Sequence, residues 1–231
     1  MNYLSKIKYM AMLTGLMTLI AFGCGDDDEL SLDEQIIDQL LTDSLLNVVE
    51  DFDIEINRGT NPPDLQNTYF ASPQILEDSN IPGDNIGRSF TDLTLQIVDQ
   101  NNDDLTVAVF TREGSSSSSS GVGGFIIGED DRFTLFVQAL SIRANNLDSA
   151  QVLSVYSGVL TADGIRDLNR LIILTEDFGD PNGRFIEIGE SRLIVDPDGF
   201  SPVIDVDISN GRSSSQSTSN YQGTPADEQI E

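Results

Sequence analysis

Arg88, Arg112, Arg143 and Arg184 recur where short apolar runs give way to polar turns. A guanidinium offers a planar fork of donors that matches carboxylate and phosphate oxygens. Four of them at one end of a fold could receive such a group on a ligand, or pair with the nearby acids Glu77, Asp84, Glu113 and Asp148. The rest of the chemical inventory is thin. The chain has no His, which removes Ser-His-Asp and Cys-His catalysis and imidazole zinc sites. Cys24 is the only cysteine, so no disulfide can form within the chain. Paired carboxylates could hydrolyse glycosides, but among 39 Asp and Glu residues close pairs arise in any fold. These absences point away from an enzyme: we expect no catalytic residue, no metal ligand set and no cofactor.

Calcium is the one metal such an acidic chain invites. A calcium loop needs Asp at its first place, Asp or Asn at the third and fifth, and Gly at the sixth. Asp180-Pro181-Asn182-Gly183 fits the later places, but Phe178 occupies the first. Asp196-Pro197-Asp198-Gly199 is shorter still. Both read as turns, where Asp, Pro and Gly each have backbone reasons to occur.

The first residues read as a secretory leader. Lys6 and Lys8, the only lysines, precede an uncharged apolar stretch from Tyr9 to Phe22. A bilayer-spanning helix needs roughly 20 apolar residues, and polar sequence follows this shorter run at once. Ala21-Phe22-Gly23-Cys24 resembles a bacterial lipobox, with Ala21 and Phe22 standing where that box usually has Leu and a small residue. The same residues form a small-x-small signal-peptidase site, and either enzyme would cut before Cys24. The lipobox resemblance implies acyl chains on Cys24 and attachment to a membrane; several chains anchor firmly where one is marginal. Gly25-Asp26-Asp27-Asp28-Glu29 resembles the surface-export signal of Bacteroidota lipoproteins. This implies an outer-membrane protein facing the cell exterior, the periplasmic face being the alternative.

Charge narrows the partners. The formal net charge is −27, and loss of residues 1–23 removes both lysines and no acid, moving it to −29. Nucleic acid needs a basic face, and no nucleic-acid partner is expected.

The elements that must position the arginines follow from periodicity. Ser31-Leu32-Asp33-Glu34 reads as a capping box, opening one amphipathic helix over 31–50 with Ile37, Leu40, Leu41, Leu45 and Val48 on one stripe. Residues 51–65 connect, with Phe52, Ile54 and Ile56 alternating with acids and Gly59 to Pro63 breaking the pattern. The body, 66–209, then shows eight short apolar runs: 66–76, 88–99, 104–112, 122–128, 132–143, 150–161, 168–176 and 184–195. Phe133, Leu135, Val137 and Ala139 share one face of the fifth. Residues 210–231 are too polar to bury a core and are expected to be disordered.

Regular short strands with polar turns indicate a mainly β fold, an antiparallel up-and-down barrel of about eight strands or, alternatively, a β-sandwich. A helix followed by Leu65-Gln66-Asn67-Thr68-Tyr69 and an eight-stranded meander resembles the lipocalin or calycin plan, with Asn67-Thr68-Tyr69 where Gly-x-Trp is usual. In a meander successive loops alternate between ends. One end receives residues 77–87, 113–121, 144–149 and 177–183, including Ser115–Ser120 as a flexible hairpin tip, together with the four arginines. The longer loops there predict a mouth for a small or extended ligand. A barrel packed solid by Leu93, Leu95, Val107, Phe133, Leu135 and Val137 would instead serve structure or bind an envelope protein.

Overall fold

The computed structural model describes residues 30–114, 117–121, 124–143, 149–180, 183 and 185–209, with backbone alone for 117–121 and 141–143. The chain divides into two compact units, residues 1–31 and 32–231, and every element below belongs to the second.

Two helices replace the single one expected over 31–50: α1 (Leu32–Leu40) and α2 (Asp43–Asp51). The break has a local cause. Thr42 leaves helical geometry, and its hydroxyl accepts from the Leu45 amide at 3.4 Å, satisfying one of the donors that open a helix. The stripe survives the break. Ile36, Ile37, Leu41 and Val49 are buried, with Leu40, Leu45 and Val48 packed beside them.

The body is mainly β: a curled, essentially antiparallel sheet. Its strands among the described residues are β1 (Thr60–Asn61), β2 (Thr68–Ala71), β3 (Gln74–Ser79), β4 (Ser89–Phe90), β5 (Leu93–Asn101), β6 (Thr106–Glu113), β7 (Ser117–Gly121), β8 (Gly124–Glu129), β9 (Arg132–Arg143), β10 (Ser149–Leu160), β11 (Gly164–Glu176), β12 (Ser191–Val195) and β13 (Phe200–Pro202). The long central ladders β9–β10 and β10–β11 pair Tyr156 with Leu135 on one side and Arg170 on the other. β7 and β8 occupy one place between β6 and β9, each laddering with a different half of both neighbours. β2 and β3 are separated only by Ser72 and Pro73, yet β2 ladders with β5 and β3 with β12.

Three expectations are corrected. Ser117–Ser120 are not part of a loose tip: they form β7, bonded to β6 and β9 on both sides. A strand satisfied along both edges recovers its backbone hydrogen bonds whatever its side chains. Gly59 to Pro63 does not simply end order. Thr60 and Asn61 run parallel to Gly128 and Glu129, with the Gly128 amide donating to the Gly59 carbonyl at 2.9 Å. The last run, 184–195, contracts to β12, because the Gly189 amide donates to the Leu174 carbonyl and the preceding residues turn.

Apolar side chains pack on both faces of the sheet. One cluster holds Tyr69, Leu95, Val109, Leu135, Val137 and Tyr156 on the inner face. The other joins Phe136, Leu153, Val155, Leu171 and Ile173 to the helices and to Phe52 and Ile54. Each fully buried side chain of this kind is worth about 1.5–3 kcal/mol relative to exposure. This double burial explains why β10 is buried without a break from Leu153 to Val159, its serines included. Asn57 pins the approach segment to the helix-covered face. Its amide donates to Thr134 Oγ1 at 2.7 Å, and its Nδ2 donates to the Phe133 carbonyl and to Ser157 Oγ, both at 3.0 Å.

Candidate functional site: arginines at the long-loop end

Alternation along β6 sends Val107, Val109, Thr111 and Glu113 to the inner face, the first two lying in its apolar cluster. Alternation along β11 turns Leu171 and Ile173 to the helices and Arg170 and Ile172 the other way. Arg170 is therefore an inner-face arginine, its side chain only 8 % exposed. Its Nη1 donates to Glu113 Oε1 at 2.7 Å, and its guanidinium carbon lies 5.7 Å from the Tyr156 ring centre. Burial alone would lower the Arg170 pKa; the Tyr156 hydroxyl and Glu113 carboxylate more than offset it and hold the group charged. Burial pushes the Tyr156 phenol upward against the pull of Arg170, keeping it neutral and able to donate.

A second pair lies one strand away. The β11–β12 register places Ile172 opposite Arg192 and Arg170 opposite Ile194. Arg192 thus shares the face of Arg170 as its diagonal neighbour, a spacing of about 7–8 Å. Arg192 grips Asp84 with both arms of its fork, Nε to Oδ2 at 2.6 Å and Nη2 to Oδ1 at 3.1 Å. That bond, more than any other contact, lowers the Asp84 carboxyl below its ordinary range. Ser79 Oγ also donates to Asp84 Oδ2, at 2.8 Å. Arg88 Nη2 stands 3.8 Å from the same carboxylate. The guanidinium carbons of Arg88 and Arg192 lie 4.6 and 5.9 Å from the Phe90 ring centre, within cation–π range.

The arginines picked out by sequence divide accordingly. Arg88 belongs to this site. Arg112 alternates with Thr111 and Glu113 and so projects from the other face of β6. Arg143 ends β9, with its side chain outside the described residues, and Arg184 lies outside them altogether, as do Cys24, Gly25, Asp26, Asp27, Asp28 and Glu29. Sequence reasoning missed Arg170 and Arg192. The usable signal for Arg170 was one charge inside the apolar run Leu168 to Leu174, which a sheet covered on both faces must bury.

The acidic turns serve their own backbones. Asp180 Oδ2 accepts from the Phe185 amide at 3.0 Å. Asp198 Oδ1 accepts from the Phe200 amide at 2.9 Å, and Asp196 Oδ2 accepts from Ser201 Oγ at 3.0 Å. Among the described residues, no three His, Cys, Asp or Glu side chains gather as a metal would require, and no helix is long and apolar enough to cross a membrane. Compared with known proteins, the chain matches no family model, no curated protein and no solved structure.

Proposed function

We propose that the protein is a lipoprotein held on the outer membrane through Cys24 and exported to the cell exterior, whose β body binds a small or extended ligand at its long-loop end and performs no catalysis. The observation that carries the binding reading is the placement of Arg170. A buried charge is costly even when paired, and an apolar side chain of similar size would usually stabilise the fold as well or better. An arginine kept there beside Arg192 and Arg88 is best accounted for by recognition of a ligand.

The body reads as a barrel of about eight strands, lipocalin-like in layout, when β2–β3 and β7–β8 each count as one strand. The ladders of β2 with β5 and β3 with β12 support closure, which would leave no long free edge. A sandwich is the alternative. A second functional reading, a filled barrel that serves as an interaction module, draws support from Leu93, Leu95, Val107, Phe133, Leu135 and Val137. All six lie in one buried cluster. They pack together into the inner face, and on the ligand reading the ligand is taken at the mouth rather than deep inside.

Labelling growing cells with palmitate tests the anchor: the wild-type protein should carry label and Cys24→Ala should not. Protease added to intact cells should remove the labelled protein if the body faces outward. An unlabelled wild-type protein would overturn the reading of location.

A further inference from the structure

The arginine cluster contains more donors than its own acids accept. Among the described residues, three guanidinium groups, Arg88, Arg170 and Arg192, meet two carboxylates, Asp84 and Glu113. The Arg192 fork is filled by Asp84. Arg170 spends Nη1 on Glu113, yet its Nε is buried with no hydrogen-bond partner, and the Nε of Arg88 is in the same state. A buried donor without an acceptor is costly, and more so on a charged group, so two at one end of one sheet call for an acceptor.

Access is graded. Arg88 is 39 % exposed and Arg170 only 8 %. Phe90 lies under the Arg88 and Arg192 guanidinium groups, and Ile86, Phe178 and Ile188 stand exposed on the loops of the same end.

From this we infer that the long-loop end binds a small organic anion, a carboxylate or phosphate carried on an apolar or aromatic body, with Arg88 at the entrance, Arg170 as the deeper receptor and Phe90 against the body. The inference rests on the reading of this end as a ligand mouth and names the class of ligand. Neutral Tyr156 contributes a further donor, while Asp84 holds Arg192 in place rather than competing for the anion.

Equilibrium dialysis of the full mature chain in non-ionic detergent tests it, with benzoate, inorganic phosphate and neutral benzyl alcohol as probes. Saturable binding of benzoate or phosphate is expected. It should weaken at least tenfold in Arg88→Gln and in the charge-balanced pair Arg170→Met with Glu113→Gln, each checked for native circular dichroism. Arg166→Gln, an exposed arginine at the opposite end of β11, should change it less than twofold. Equal losses in Arg166→Gln and Arg88→Gln would mean diffuse attraction and overturn the site. Saturable benzyl alcohol binding that Arg88→Gln leaves intact, without anion binding, would overturn the ligand class but keep the mouth. Binding of none of the three would overturn both.

Discussion

Arg170 and Glu113 are 57 positions apart in the chain, yet Nη1 of one donates to Oε1 of the other at 2.7 Å. They sit on β11 and β6, strands that are not neighbours: β7–β8, β9 and β10 lie between them along the ladder. Their bond therefore crosses the concave side of the sheet rather than running along it. Smaller contacts close the same curl elsewhere. Tyr69 bridges to Val203, and Thr68 Oγ1 donates to the Val206 carbonyl at 2.7 Å.

A crossing pair of this kind should tolerate loss of both partners better than loss of one. Arg170→Met removes the guanidinium that stands 2.7 Å from the Glu113 carboxylate, and breaking a buried pair in this way costs on the order of 3 kcal/mol. Glu113 is 28 % exposed, and solvent reduces that figure. Adding Glu113→Gln should recover more than half the loss. Urea denaturation of the two single variants and the double completes the cycle; additive effects would show that the two side chains act independently.

The helix-covered face depends on Asn57. Its three hydrogen bonds reach Thr134, Phe133 and Ser157 across two strands. Asn57→Ala keeps the backbone donor to Thr134 but strips both Nδ2 bonds, leaving the Phe133 carbonyl short of a partner. A loss of about 2–3 kcal/mol is expected, read as a lower urea midpoint with an unchanged slope. Anion binding at the far face should not move.

How much of this could be read beforehand follows the range of each interaction. The inward alternation Phe133, Leu135, Val137, Ala139 was legible because strand periodicity is local and the whole set lands in one cluster. The amphipathic stripe before the sheet was legible for the same reason. Its break at Thr42 was harder, since Thr is unremarkable inside a stripe until its hydroxyl turns to the Leu45 amide. Ser117–Ser120 were misread because low-propensity serines signal a loop, and only the pairing of distant β6 and β9 makes them a strand. The site was half legible. Arg88 was singled out from strand counting, and it stands 3.8 Å from the Asp84 carboxylate that Arg192 grips. Arg192 was hidden because its partner Asp84 is 108 positions away, a pairing that no spacing rule encodes.

Gly128 is where the approach segment and the β8–β9 hairpin converge. Its φ is +154°, and a Cβ there would overlap the Arg132 carbonyl oxygen. Such backbone geometry is essentially restricted to glycine and costs other residues about 1–3 kcal/mol before any clash. Gly128→Ala should therefore destabilise strongly and loosen the β1–β8 pairing, measured as faster amide exchange at position 128 and at Glu129. By contrast Gly83, whose Cβ would meet nothing within 4 Å, should accept alanine at the cost of its positive φ alone.

Asp196 gives the fold a pH dependence of unusual sign. Its side chain is buried in the turn after β12, with Oδ2 held by Ser201 and Oδ1 without a partner. Burial, reinforced by neighbouring Asp198, raises its pKa from 3.8 to about 6. The folded chain thus binds a proton more tightly than the unfolded chain, and stability falls as pH rises from about 4 to about 6. Above that window the ionised carboxylate costs on the order of 2 kcal/mol. Easing of general repulsion among the many acids on acidification acts in the same direction, so wild type alone cannot isolate the effect. Asp196→Asn can, because it removes one titration and leaves the rest. The variant should be more stable than wild type at pH 7.5, and the difference should vanish near pH 4. An advantage that stayed constant across that range would place its origin in packing rather than in the proton.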